Sequence, residues 1–399
     1  MFAKIDQRPV GQGGFTTGQV ETDQGPLRWV YDCGSDDTRP LQDEIRLFLS
    51  EGGVDLLFIS HLHADHVNGI DALLSEGDVV EVVLPYIGND EKKLLLASGA
   101  ARGVLSTSYR SFLSNPVAWL SRRRVKRVRF IRGDDPDDGL EGREGAPDFP
   151  SEQPSKHKWL RLGGPTSKTM ERRRIPVTVD VGNHDAICPL SGGVGAWVFV
   201  PQVYQPSKAR MDRFSASLEA VFGAKQTYRQ LAKEALTQAG RAKLRLAYDQ
   251  IWRDHNLVSM SLYAGPVDVS NLGSWTEVGE GHHRNRLRDN LIGGGWLLTG
   301  DAKLVGERRR NKFKDRYSAW FGNLDVFQLP HHGSRHSGDW RLFQALGGRP
   351  IGFAAASLTN KYRHPHDETF SDFRRALRSE PLQVSEDALS ALISIYYTR

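Results

Sequence analysis

The run Val54-Asp55-Leu56-Leu57-Phe58-Ile59, preceded by Gly52-Gly53, is the most constraining stretch of this chain. A short, nearly continuous apolar run after a glycine turn is a strand buried on both faces of a sheet. It leads directly into Ser60-His61-Leu62-His63-Ala64-Asp65-His66, which places four side chains able to ligate a metal within six residues. Alternation along an extended segment puts His61 and His63 on one side, and a following turn can swing Asp65 and His66 toward a second centre. Imidazole and carboxylate at this density suit zinc or a similar divalent ion.

The rest of the chain alternates strands and helices toward both ends. Trp29-Val30-Tyr31 reads as a strand ending at Asp32-Cys33-Gly34, Leu41, Ile45, Phe48 and Leu49 fall on one helical face, and Val79 to Leu84 is another strand. Later strands are expected at Ala196–Val200, Leu257–Tyr263, Gly295–Thr299, Leu324–Leu329 and Ile351–Ala356, with helices over Ser215–Trp252 and Glu368–Leu377. Residues 133–165, rich in Gly, Pro, Asp and Glu, read as a flexible loop. The expected organisation is one α/β domain over 1–399, with 86–254 as a long, partly flexible and helical insertion.

Composition excludes several classes. No window approaches about 18 consecutive apolar residues, so no membrane span and no membrane partner are expected. Met1 to Asp6 lack the features of a signal peptide. Two cysteines, Cys33 and Cys188, cannot build a disulfide framework, which with the absent signal suggests the cytoplasm. Both are expected to be small buried side chains rather than nucleophiles. The net charge of +5, from 53 Lys+Arg against 48 Asp+Glu, is too mild to argue for nucleic acid by itself.

The His61–His66 run resembles the signature H-x-H-x-D-H of the metallo-β-lactamase superfamily. Val10-Gly11-Gln12-Gly13, Tyr31-Asp32-Cys33-Gly34, Leu298-Thr299-Gly300-Asp301 and Pro330-His331-His332-Gly333-Ser334 follow in the expected order. Together they are similar to the branch that holds the nuclease domain of competence-type DNA-internalisation proteins, over roughly residues 5–85 and 255–378. The resemblance implies an αββα sandwich of two mixed sheets with helices outside, and two divalent metal ions, zinc or alternatively manganese. Carried over, His61 and His63 would bind the first metal, Asp65 and His66 the second, and Asp301 would bridge them. One of His331 and His332 would complete the second site; His332 is preferred, which makes His331 a substrate or catalytic group. Asp65 would orient a metal-bridged hydroxide, Asp32 would accept the ring N–H of a metal-bound imidazole, and His364 in Tyr362-Arg363-His364-Pro365-His366 would approach the reacting group or lie in a surface loop. Asn256, in His255-Asn256-Leu257-Val258-Ser259, would face substrate. The chain departs from the family at two points. A further first-site histidine is missing, with His184, His255 or water as replacements, and Gly14 stands where the branch often carries Asp.

Three basic runs bear on the substrate: Arg122 to Arg132 with seven cations in eleven residues, Arg308-Arg309-Arg310 with Lys312, Lys314 and Arg316, and His282 to Arg288. Such cations suit phosphate contacts, or else form solvated faces beside Asp134 to Glu144. The expected function is a metal-dependent phosphodiesterase or nuclease acting on nucleic acid or another polyanionic phosphodiester, with Arg308, Arg309 and Arg310 on the substrate. Hydrolysis of a small phosphoester, thioester or amide-like compound is one alternative. An accessory module with a structural metal site, binding a protein partner through the insertion, is another.

Overall fold

The computed structural model describes residues 2–398 other than 104, 134–158, 163–169, 172–177, 183–185, 190–196, 207, 251–257, 280–283 and 291–293. Among the described residues, one sheet has eleven strands, in the order Asn285–Asn290, Leu272–Val278, Leu392–Thr398, Phe2–Gln7, Gly13–Thr22, Gly25–Ser35, Val54–Phe58, Val79–Pro85, Arg127–Ile131, Thr178–Gly182 and Met170–Glu171. The second has eight: Leu382–Val384, Ile351–Ala355, Leu324–Gln328, Gly295–Leu298, Ser259–Pro266, Trp197–Tyr204, Ala186–Pro189 and Trp159–Leu162.

Both sheets are mixed. From Gly25–Ser35 to Thr178–Gly182 the neighbours run parallel, whereas Phe2–Gln7 pairs antiparallel with Leu392–Thr398 and Gly13–Thr22. In the second sheet, Gly295–Leu298 through Leu382–Val384 are parallel. Parallel neighbours require crossover connections, and helices such as Thr38–Leu49, Glu307–Phe321 and Asp367–Leu377 supply them. The carboxyl ends of the parallel strands in both sheets meet at one edge of the molecule, and the chemically interesting residues lie there.

Side-chain alternation sorts the apolar residues into layers. Trp29, Tyr31, Leu56 and Phe58 point between the sheets, where Trp29 and Phe58 each lie 5.3 Å from the Phe199 ring. Their neighbours Val30 and Leu57 point outward and pack with Ile45, Phe48 and Leu73 of the covering helices. Phe327, Phe313, Phe343 and Phe373 form the matching outer layer of the second sheet. The architecture is the αββα sandwich expected from the sequence. No helix among the described residues is long and apolar enough to cross a membrane.

The 86–254 stretch, expected as a partly flexible and helical insertion, also contributes strands. It adds Arg127–Ile131, Met170–Glu171 and Thr178–Gly182 to the first sheet and Trp159–Leu162, Ala186–Pro189 and Trp197–Tyr204 to the second. Most of the 133–165 segment lies outside the described residues, but Trp159–Leu162 pairs antiparallel with Ala186–Pro189. Buried Trp159 joins the core between the sheets, an anchor that one aromatic residue among Gly and Pro does not advertise. The expected Ser215–Trp252 helix divides into Lys208–Phe222, Tyr228–Glu234 and Gln238–Asp249. Thr227 and Gln230 form a capping box at the second start, and Thr237 caps the third. With Asn89–Arg102 these helices share their own apolar cluster, including Leu96, Phe214, Leu231 and Leu244.

Candidate metal centre

Strand ends from both sheets converge here. The first sheet contributes Asp32, then Ser60, His61 and His63, then Asp65 and His66 from the short Ala64–Val67 helix. The second contributes Asp301 beyond Gly295–Leu298, His331 and His332 beyond Leu324–Gln328, and His364 beyond Ile351–Ala355. Met260 N donates to Ser60 O at 2.8 Å and His331 N to Gly300 O at 2.9 Å, which ties the edges together. Gly300 has φ +51°, and a Cβ there would lie 2.8 Å from Ser60 Cβ; glycine lets the Asp301 turn close on the histidine run. Asp32, His331 and His332 have φ of 59°, 51° and 54°. That region costs a residue with a side chain about 1–3 kcal/mol, so the surrounding contacts must hold all three in place.

Asp301 is the centre of the arrangement. Its Oδ2 lies 3.4 Å from His61 Nε2 and 3.7 Å from His331 Nε2. Its Oδ1 lies 3.2 Å from His66 Nε2 and 3.5 Å from His332 Nε2. His332 Nε2 is also 3.4 Å from Asp65 Oδ2. Two groups of three donors result, His61/His66/Asp301 and Asp65/His66/His332, each with its ligand atoms within 4.8 Å of one another and all buried. His61 and Asp301, expected to share a metal from opposite halves of the chain, are in direct reach.

Hydrogen bonds fix which ring nitrogens point inward. Asp32 Oδ1 accepts Ser60 N–H at 2.6 Å, while Oδ2 accepts the Ser60 hydroxyl at 2.6 Å and faces His66 Nδ1 at 2.8 Å. A carboxylate only accepts, so His66 carries a proton on Nδ1. Ser60, having donated to Asp32, accepts from His61 Nδ1 at 2.9 Å. The Ala355 carbonyl, 2.7 Å from His332 Nδ1, places a proton there too. In the neutral rings all three Nε2 lone pairs therefore face the centre, and those of His66 and His332 oppose each other at 3.3 Å. Two lone pairs so close repel unless a cation lies between them.

Electrostatics at the same point favour positive charge, carried by the rings themselves where no other cation is bound. Burial would depress His66, but Asp301 and Asp32 outweigh it and hold its pKa well above the usual range. His332 is likewise raised against its burial by Asp301 and Asp65. Burial would raise Asp301, yet His331, His66 and His332 hold it well below. His61 is lowered by burial and by His66, which keeps its Nε2 unprotonated. A pocket with these tendencies is organised around positive charge. Neutral imidazole nitrogens with carboxylate oxygens fit a divalent metal, and Asp32, Ser60 and the Ala355 carbonyl supply the outer hydrogen bonds that orient such ligands.

Among the remaining expected residues, His63 belongs to neither donor group. Its ring stands edge-on to His61 with centroids 4.6 Å apart, and its Nε2 is 3.3 Å from Ser98 Oγ, so Nδ1 is the nitrogen that would meet a metal. His332 lies inside a donor group, whereas His331 forms part of a cavity wall with Nδ1 3.3 Å from Ser337 Oγ. His364 reaches the site: its ring stacks on His332 at 6.0 Å and meets His331 edge-on at 5.2 Å. Burial, then His331 and His332, lower its pKa to about 3. It is neutral at pH 7 and could not enter a reaction as a protonated acid. The Gly14 departure has a steric cause. A Cβ there would lie 2.9 Å from both Asp32 Cβ and His66 Nδ1, where the Asp32–His66 contact fills the space. His184, His255 and Asn256 lie outside the described residues.

The described residues of the basic runs do not line the cavity over the donors. Arg308, Arg309 and Arg310 lie on the Glu307–Phe321 helix and do not line the cavity over the centre. Arg309 Nη1 donates to Lys303 O at 3.1 Å and Arg310 Nη1 to Asp339 Oδ2 at 3.3 Å. In the first run, Arg123 pairs with Asp71 at 2.6 Å, and Arg127 and Arg129 pair with buried Glu81. The third run is partly outside the described residues; Arg284 there pairs with Glu277 at 3.1 Å. Cys33 and Cys188 are buried and free, with thiol pKa values pushed up by burial, Cys188 to about 12.

A cavity of about 500 Å³ opens over Asp65, Asp301, His331 and His332. Its walls include residues that the sequence reading missed: Gln12, Lys303, Lys361, Tyr362, and Arg245 and Asp249 of the Gln238–Asp249 helix. Lys303 sits two residues after Asp301, a position that could have drawn notice; Arg245 carries no local signal.

The metallo-beta-lactamase superfamily model matches residues 22–183, a span that includes Asp32 and His61 to His66 and ends before Asp301. No curated protein matches the chain. The match, the sandwich and the donor groups together support that superfamily, whose members are mostly metal-dependent hydrolases.

Proposed function

We propose that this protein is a phosphodiesterase of the nuclease kind that holds two divalent ions, most simply zinc, at the Asp301 centre. The observation that carries the reading is the division of Asp301, one oxygen toward His61 and the other toward His66 and His332, beneath a cavity with a cationic wall. His61, His63 and Asp301 would hold one ion; Asp65, His66, His332 and Asp301 the other. Ions bound there would lower the pKa of a water and offset negative charge on a phosphoryl oxygen. Asp65, at the cavity floor, would accept a hydrogen bond from the attacking water and aim it. Asp32 and Ser60 hold the His61 and His66 rings so that neither rotates away. Neutral His364, with His331, would offer ring N–H groups to a substrate oxygen rather than a mobile proton. A small phosphoester is the second reading, favoured by the size of the cavity, which falls within the roughly 300–1,000 Å³ of small-ligand sites.

The test is metal analysis of the purified chain, followed by assays on single- and double-stranded DNA and RNA and on p-nitrophenyl phosphate. About two ions per chain with cleavage of a polynucleotide supports the proposal. Full metal loading with hydrolysis of the small ester alone transfers the assignment to the second reading.

A further inference from the structure

The cavity wall carries more positive charge than the reacting group needs. Lys303 follows the Asp301 turn, Lys361 lies in the loop after Ile351–Ala355, and Arg245 projects from the Gln238–Asp249 helix. Among the described residues, Asp249 is the only carboxylate lining the cavity besides Asp65 and Asp301, and it is 3.4 Å from Arg245, an i,i+4 pair that prealigns the guanidinium. The helix itself is fixed, because Leu244, Ala247 and Tyr248 are buried in the apolar cluster shared with Leu96. Charge on a phosphoryl group at the floor would already be met by the ions proposed there. Three cations on three separate segments, turned to the same cavity, fit a second anion.

We propose that Arg245, Lys303 and Lys361 form a phosphate subsite, and that the substrate is a phosphodiester carrying a further phosphate one nucleotide unit away. The proposal rests on the phosphodiesterase reading and narrows it. Lysine and arginine suit phosphate as point charge and planar donor respectively. At about 500 Å³ the partly open cavity has a volume in the range of small-ligand sites, which suits one nucleotide unit. The Arg308 to Arg310 run, tied to Lys303 O and Asp339, is not needed for this contact.

The experiment compares two chromogenic esters on the full, metal-loaded chain: the 5′-p-nitrophenyl ester of thymidine 5′-phosphate, and the same compound with a 3′-phosphate. The wild type is expected to show a KM about tenfold lower for the second compound. In Arg245→Ala/Lys361→Ala the two KM values should fall within about twofold of each other, with metal content and circular dichroism matching wild type. Arg245→Lys/Lys361→Arg should recover most of the preference. No preference in the wild type, or an undiminished one in the alanine variant, overturns the subsite. If neither ester is hydrolysed by loaded protein, the phosphodiesterase reading fails separately. Calorimetry with thymidine 3′,5′-bisphosphate and thymidine 5′-phosphate then decides the subsite alone: tighter binding of the bisphosphate, lost in the alanine variant, supports it, and equal binding overturns it.

Discussion

The floor and the wall of the cavity are built on opposite principles. On the floor, His61, His66, Asp301 and His332 are buried, and the three imidazoles are fixed by hydrogen bonds through Asp32, Ser60 and the Ala355 carbonyl. On the wall, Lys361 and Arg245 are exposed, and the Arg245 side chain keeps 65% of its accessible surface. The floor therefore has one geometry, dictated by the sandwich, and its donor set fits a cation. The wall is set by loops and an outer helix and can vary without disturbing the floor. On the proposed reading, reaction chemistry and substrate choice would be separated within one cavity.

The sharpest way to break this comparison is at Asp301. Asp301→Asn keeps the shape but removes the charge and turns a donor group toward the Nε2 atoms. Bound metal should drop by at least one ion per chain, measured by elemental analysis, and hydrolysis should fall by about 1,000-fold or more, roughly 4 kcal/mol of transition-state stabilisation. Full metal content and activity would show that the floor is not a metal centre. Asp65→Asn comes next, with turnover about 100-fold lower, or roughly 2.7 kcal/mol. Cys33→Ser/Cys188→Ser is the contrast and should stay within a few-fold, because thiols with raised pKa are not nucleophiles near neutral pH. A folded, metal-loaded cysteine variant without activity would reverse the assignment.

The two regions also differ in how far the sequence announces them. His61 to His66 were legible because the donors are local and follow a buried strand, and Asp301 and His332 because each terminates an apolar strand in a recognisable turn. Asp32 was legible for the same reason, although its contact with Ser60 was not, since a serine beside a histidine has many commoner uses. The sandwich was legible through the family resemblance, and its central strands as short buried apolar runs. Its antiparallel margins were not: Phe2–Gln7 pairs with Leu392–Thr398 across nearly the whole chain, Leu272–Val278 pairs with that same distant strand, and no local pattern encodes such partners. The wall was hidden for the same physical reason. Arg245 reaches the cavity only through helix packing, whereas in the dense run at Arg122 to Arg132 Arg123, Arg127 and Arg129 are engaged by Asp71 and Glu81.

Asp32 tests the outer support of the floor. Asp32→Ala removes the acceptor that orients His66 directly and His61 through Ser60. Metal affinity should weaken by about 10- to 100-fold, read by competition with a chromophoric chelator, while activity at saturating metal falls less. Unchanged affinity would mean that the rings are held by packing alone, and the floor would then resemble the wall more closely than its hydrogen bonds suggest.

The smallest effect is expected outside both regions. Arg308→Ala/Arg309→Ala/Arg310→Ala removes three charges from the helix behind the wall. Arg310 is 12% and Asp339 27% exposed, so losing their pair should cost about 0.2–1 kcal/mol of stability, visible as a small fall in melting temperature. Arg309 donates to the Lys303 backbone oxygen, whereas the Lys303 side chain lines the cavity and is unchanged in this variant. The KM for a short oligonucleotide should change by less than about threefold, and the dependence of log KM on log salt should lose less than about one phosphate contact. The contrast is with Arg245→Ala/Lys361→Ala, which alters two cations that do line the cavity. If the triple variant instead flattens the salt dependence by about two to three contacts, the anion track extends from the wall onto the Glu307–Phe321 helix, and the substrate would have to be a longer polyanion than the cavity alone accommodates.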